Sequence, residues 1–110
     1  MTHEDDRTLF EALDAARAAG RACVLATIVT TKGSTPRKVG ARMLVDPSEG
    51  LVGTVGGGCG EAEVIESAHR VLQSGIPERV RVDLTEDLMS WSPAVCGGIM
   101  DVFVERVTPE

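Results

Sequence analysis

Hydrophobic residues recur at helical spacing in two stretches of the chain and fall into short strand-like runs between and after them. Leu9, Leu13 and Ala16 mark one face, with Phe10 and Ala12 beside them, and Gly20 stands where a C-terminal cap belongs. The spacing predicts a helix over about residues 5–19. A second helix is predicted over residues 59–74. Val64, Ile65, Ala68, Val71 and Leu72 follow the i, i+1, i+4, i+7, i+8 pattern of a single buried face, and Gly75 and Pro77 end it. Residues 23–31 form an unbroken apolar and β-branched run, too short for most helices, which predicts a strand buried on both faces. Residues 42–45 and 51–55, separated by the turn-forming 46–50, read as a hairpin. Residues 79–84 alternate polar and apolar side chains, the period of a strand with one wet face. Residues 99–107 read as a last strand with Met100, Val102 and Val104 on one face. Residues 85–95 show no clean period and read as a loop. The expected fold class is α/β (α+β): one domain over residues 1–110, with a mixed β-sheet of about five strands and two main helices packed on it.

Composition narrows the function classes. The 110 residues are 43% hydrophobic but only 3% aromatic, with no Tyr, so Val, Leu, Ile, Ala and Met must build the core and base stacking has little to work with. The formal charge of −6 opposes a broad nucleic-acid or anionic-membrane surface. No apolar run approaches the ~20 residues that cross a bilayer. The polar, acidic N-terminus lacks the pattern of a signal peptide. Three cysteines, Cys23, Cys59 and Cys96, match no C-x-x-C spacing, which favours a reducing compartment and a cytoplasmic location. Cys23 lies within an apolar run and reads as a small core hydrophobe. Local charge departs from the average between residues 32 and 42. Lys32, Arg37, Lys38 and Arg42 occur there without an acid, leaving seven basic against seventeen acidic residues elsewhere. That loop can meet an anion.

Candidate chemistry centres on residues 53–61, Gly-Thr-Val-Gly-Gly-Gly-Cys-Gly-Glu. Glycines at this density suit a backbone that takes positive φ or lets a ligand approach closely. Free N–H groups at the positive end of a helix make an anion seat, here formed by Gly56, Gly57, Gly58, Cys59 and Gly60. A thiolate at a helix start has a lowered pKa and is a better nucleophile and metal ligand, so Cys59 is the reactive candidate. Glu61 either closes the turn by bonding backbone N–H groups or presents a carboxylate to a ligand. Cys96-Gly97-Gly98 repeats the pairing of a thiol with glycines at a strand edge, and Cys59 and Cys96 are expected to face one pocket. Trp91 is a candidate wall for a ring. The lysine and hydroxyl of a Walker A loop are absent, and no spacing completes G-x-G-x-x-G. A Cys59–His69 hydrolase pair would span almost three turns of one helix.

Gly33-Ser34-Thr35-Pro36-Arg37, Gly40-Ala41-Arg42-Met43, the 53–61 stretch and Cys96-Gly97-Gly98 before Val102-Phe103-Val104-Glu105 together resemble the xanthine dehydrogenase accessory factor family, XdhC and CoxI, over nearly the whole chain in the family's order. The resemblance implies a single XdhC/CoxI-type domain. It further implies a molybdenum-cofactor (molybdopterin) chaperone that assists sulfuration and insertion of the cofactor into a xanthine dehydrogenase, aldehyde oxidase or carbon monoxide dehydrogenase-type client. Family members commonly continue into a Rossmann-like domain, and the family's often apolar residue after the cysteine is Gly60 here. Such a carrier needs an anion seat, cations and a soft thiol together. The candidate cofactor residues are Ser34, Arg37, Arg42, Gly56, Gly57, Gly58, Cys59, Glu61, Cys96, Gly97 and Gly98, with Cys59 and Cys96 on the molybdenum or sulfur side. Expected partners are the client molybdoenzyme, a cysteine desulfurase, a separate Rossmann-domain protein and a second copy of the chain, exposed strand edges favouring a homodimer. A cysteine-dependent sulfur-transfer enzyme and a nucleotide-binding regulatory module stand as alternatives.

Overall fold

A computed structural model describes residues 3–56, 60–85 and 97–109. The elements run α1 (His3–Ala18), β1 (Cys23–Lys32), β2 (Arg42–Asp46), β3 (Gly50–Gly53), α2 (Glu61–Ser74), β4 (Glu78–Asp83) and β5 (Ile99–Val107). Among the described residues, two helices and five strands form an α+β unit, as the periodicity requires. The strands form one sheet in the order β3-β2-β1-β5-β4.

Every pairing in that sheet is antiparallel, which corrects the expectation of a mixed sheet. The helical crossover from β3 through α2 to β4 does join two strands that run the same way. They lie at opposite edges, however, and β2 and β5 run against their neighbours, so no two parallel strands touch.

Side-chain alternation divides the core into two layers. On one face, Val24, Ala26 and Ile28 of β1, Met43 of β2, Val82 of β4 and Met100, Val102 and Val104 of β5 pack against Val64, Ala68 and Val71 of α2. Fully burying each valine is worth about 1.5–3 kcal/mol relative to leaving it exposed. At the far end of α2, the Ser67 hydroxyl donates to Glu78 Oε1 (2.7 Å) and Arg70 pairs with the same carboxylate at 2.9 Å. The Gly75 N–H closes the helix on the Val71 carbonyl at 2.8 Å. On the other face, Leu9, Leu13 and Ala16 of α1 cover Cys23 and Leu44.

Helix α1 packs on β3, β2 and β1. Its reach explains a second correction. Cys23, Val24, Ala26 and Ile28 are buried, but Val29 and Thr30 are exposed, so only the first half of β1 is covered on both sides. On the uncovered flank Phe103 is 36% exposed. Beside it Asp101 accepts from the Thr30 hydroxyl (2.6 Å) and pairs with Arg81 (3.3 Å) and Arg79 (3.5 Å). The Thr30 hydrogen bond, followed by the arginines, holds the Asp101 carboxyl below its ordinary pKa. The hairpin turn closes where expected, with the Ser48 N–H donating to Asp46 Oδ1 at 2.9 Å, although β3 ends at Gly53 rather than at residue 55.

Candidate functional site

Strict alternation of strand direction puts the ends of several elements on one side of the molecule. The C-terminal ends of β1, β3 and β4 and the N-terminal ends of β2, β5 and α2 all open there. The loop after β1 carries the Gly33–Arg37 motif, β2 begins with Arg42, β3 runs into the glycine turn, and Gly97-Gly98 leads into β5. Segments far apart in sequence thus share one end of the sheet.

Two of them are in tight contact. A Cβ on Gly98 would stand 2.5 Å from the Lys32 carbonyl oxygen, 2.6 Å from that of Ser34 and 2.8 Å from Thr35 Cγ2. Only a glycine lets the two backbones approach this closely. The Leu84 N–H donates to the Gly98 carbonyl at 2.9 Å, which ties the end of β4 to the same point. A Cβ on Gly60 would overlap Val82 Cγ1. Gly60 takes φ +73° at the N-cap of α2 without a side-chain cap, and this left-handed conformation starts the helix pressed against β4.

The glycine turn is closed from within. Glu61, half-buried on the first turn of α2, accepts a hydrogen bond from the Thr54 hydroxyl and from the Gly56 N–H, the latter at 3.4 Å. The Gly56 N–H also donates to Thr54 Oγ1 at 3.2 Å. Glu61 thus bonds a backbone N–H of the turn, one of the two roles open to it from the sequence. The helix itself begins at Glu61, not at residue 59.

The basic loop forms a groove of its own. Residues 36–42 and Asp6 line a cavity of about 510 Å³. The loop is built rather than loose: the Thr35 hydroxyl donates to the Arg37 carbonyl (2.9 Å), the Gly40 N–H to the Ile28 carbonyl (2.9 Å) and the Ile28 N–H to the Ala41 carbonyl (2.9 Å). Arg42 lies with its guanidinium carbon 5.4 Å from the centroid of the Phe10 ring and Nη1 3.7 Å from Asp6 Oδ2. Arg37 is half-buried, and Lys38 is exposed.

Among the predicted site residues, the structure thus brings Ser34 and Gly98 into one contact, with Gly97 against Gly33 beside it, Gly56 and Glu61 into another, and Arg37 and Arg42 into the groove. Gly57, Gly58, Cys59, Cys96 and Trp91 lie outside the described residues. Cys23 is buried under α1 as expected, and burial, with Asp46 nearby, pushes its thiol pKa up. Sequence reasoning missed Thr54, whose hydroxyl bonds Glu61, and Asp6. Asp6 stands four residues before Phe10, one helical turn away, and that spacing was the available signal for both reaching Arg42.

The profile of the XdhC and CoxI family matches residues 16–83. The chain is 39% identical to a probable xanthine dehydrogenase subunit of Bacillus subtilis, over 79% of this chain and 27% of that protein. It is 33% identical to the molybdenum cofactor insertion chaperone PaoD of Escherichia coli, over 71% of this chain and 24% of that protein. Its fold superposes on a crystal structure described as a xanthine dehydrogenase from Bacillus halodurans with a TM-score of 0.72 at 36% identity, covering 88% of this chain and 30% of that one. The chain therefore spans about a quarter of the length of these curated relatives. Among the described residues no helix is long and apolar enough to cross a membrane.

Proposed function

The chain belongs to the XdhC and CoxI family, and from that premise we propose that it is a molybdenum-cofactor chaperone serving a molybdoenzyme of the xanthine dehydrogenase class. The observation that carries this reading beyond kinship is the gathering of the Gly33–Arg37 loop, Arg42, the glycine turn and Gly97-Gly98 at one end of the sheet. Molybdopterin carries a phosphate, a dithiolene and a terminal oxo or sulfido ligand, so a carrier must offer cations, close backbone and soft sulfur within one ligand's length.

The described residues fit the phosphate-bearing end. Arg37, Lys38 and Arg42 line a groove in a chain whose net charge is −6. Ser34 and Gly98 bring the loop after β1 and the segment before β5 into close backbone contact, and Glu61 bonds Gly56 in the turn before α2. Cys59 and Cys96 are proposed for the sulfur and metal end. When bound, the cofactor supplies the metal centre that the client enzyme will use. This chain's residues bind, orient and release it.

The proposed partners are the client molybdoenzyme, a cysteine desulfurase that provides sulfur, a Rossmann-type domain and a second copy of the chain. The proposed setting is the cytoplasm, with the 110 residues acting as one XdhC/CoxI-type domain. The role is delivery, not turnover. Incubation of cofactor-loaded protein with a cofactor-free client tests it: one equivalent of cofactor should move for each equivalent of carrier, with the carrier left empty. Catalytic conversion of a sulfur donor that is lost on Cys59→Ser or Cys96→Ser would replace this reading with a sulfur-transfer enzyme. Tight binding of ATP or NAD with none of molybdopterin would replace it with a nucleotide-binding module.

A further inference from the structure

Two places at this end of the sheet can be compared as seats for the phosphate of a ligand. The glycine turn has the positive end of α2, worth about 0.3–1 kcal/mol to an exposed anion. Yet the Glu61 carboxylate stands there, holding the Thr54 hydroxyl and the Gly56 N–H. An anion brought to the described part of that turn meets a negative charge, and the Thr54 hydroxyl and Gly56 N–H are already engaged there. The groove over residues 36–42 has the opposite balance, with three cations, Arg37, Lys38 and Arg42, against one acid, Asp6.

That one acid is weakly held. The Asp6 carboxylate is 46% exposed and 3.7 Å from Arg42, the geometry of a surface pair whose net worth is about 0–1 kcal/mol. Arg42 has a second support, the face of Phe10 at 5.4 Å, which keeps the guanidinium in place when Asp6 departs. We propose that the Pro36–Arg42 groove is a phosphate-monoester site in which Asp6 is an internal competitor for Arg42, displaced when the phosphate binds. Arg37 and Lys38 meet the incoming dianion first, and Arg42 then exchanges the Asp6 carboxylate for a phosphate oxygen while staying stacked on Phe10. Only the identity of the natural ligand, the phosphate end of molybdopterin, rests on the chaperone reading. The site itself rests on the groove.

The probes are inorganic phosphate and pyrophosphate, titrated into the protein at low ionic strength and followed by calorimetry and by amide chemical shifts. Removing one negative charge about 5 Å from a bound anion in a partly screened site changes affinity by about three- to tenfold. Asp6→Asn should therefore tighten binding by that factor. Arg37→Gln and Arg42→Gln should each weaken it at least as much, and Arg79→Gln, on β4 and paired with Asp101, should leave it within about twofold. A gain of affinity in Asp6→Asn cannot come from misfolding, so the proposal stays testable if an arginine variant proves unstable. Tightening by Glu61→Gln with no effect of the arginines would overturn it and move the anion to the glycine turn. So would the absence of binding to both wild type and Asp6→Asn at ~10 mM probe. Protein that copurifies with molybdenum and pterin but binds phosphate outside the groove defeats this inference alone. Groove binding without any pterin defeats the chaperone reading and leaves the site standing.

Discussion

Replacing Gly98 by alanine adds one methyl group at the point where the loop after β1 meets the segment before β5. Its backbone φ lies outside the left-handed region, so the change carries no conformational penalty of that kind and its effect is steric. The new Cβ would sit 2.5 and 2.6 Å from two carbonyl oxygens and 2.8 Å from Thr35 Cγ2, where ordinary contacts begin near 3.4 Å. Two of the three atoms are backbone, and the loop that carries them is pinned by Thr35, so relief needs movement of the loop or of β5. Overpacking of this kind costs about 1–3 kcal/mol, and backbone obstacles place Gly98→Ala in the upper half of that range. In a domain this size each kcal/mol lowers Tm by about 4–8 °C. Urea unfolding followed by circular dichroism reads the loss directly as a lower midpoint at unchanged slope. A Gly98→Ala protein within about 0.5 kcal/mol of wild type, the range of neutral surface changes, would refute the close contact between the two motifs, and with it the shared site.

Acid should act on the open flank of the sheet. The folded-state pKa of Asp101 is lowered, chiefly by the Thr30 hydroxyl and then by Arg81 and Arg79. Its stabilising contribution is therefore full above the unfolded carboxyl value of about 3.9 and lost as pH falls through the folded value. Asp101→Asn should be less stable than wild type at pH 7, with the gap narrowing by about pH 3 in paired urea titrations; a gap independent of pH would count against the charge network. Cys23 should resist iodoacetamide in the native protein and react only in denaturant, because it is fully buried and its thiol pKa is raised. Peptide mapping that finds Cys23 labelled within minutes under native conditions would contradict its placement beneath α1. Leu9→Ala, which empties that same cluster, should cost about 2–5 kcal/mol in the urea assay, whereas a loss under about 1 kcal/mol would mean that α1 is loosely seated.

The elements were legible because each had a physical signature of its own. The α2 stripe Val64, Ala68 and Val71, the β4 alternation and the Met100-Val102-Val104 face are periodic patterns, and all came out on the buried sides expected of them. Strand partnering was not legible. Nothing local in residues 99–107 says that β5 inserts between β1 and β4, and that insertion makes the sheet antiparallel throughout. Nor does residue spacing alone show how far α1 reaches, so Val29 and Thr30 read as buried. At the site, the loop motifs and Arg37 were visible as composition, but their meeting was not, since Gly98 touches Lys32 and Ser34 only through the topology. The turn-closing role open to Glu61 from the sequence is the one in which its carboxylate accepts from the Gly56 N–H. Asp6 escaped notice because an acid near a helix start already has a sufficient explanation in the helix dipole, while its contact with Arg42 depends on where α1 sits across the sheet.

The proposed reading gives separate tasks to two features at this end: on it the glycine turn supplies shape, with Glu61 bonding Gly56, and the Pro36–Arg42 groove supplies charge. A ligand with a phosphate at one end and sulfur at the other could span both. The most direct test of that account is anaerobic purification of the protein from a host that makes molybdenum cofactor, followed by metal analysis by mass spectrometry and fluorescence assay of oxidised pterin. The account predicts molybdenum and pterin in equal amounts, approaching one per chain and reduced together in Arg37→Gln. Protein that folds normally in that host yet carries neither molybdenum nor pterin would contradict it.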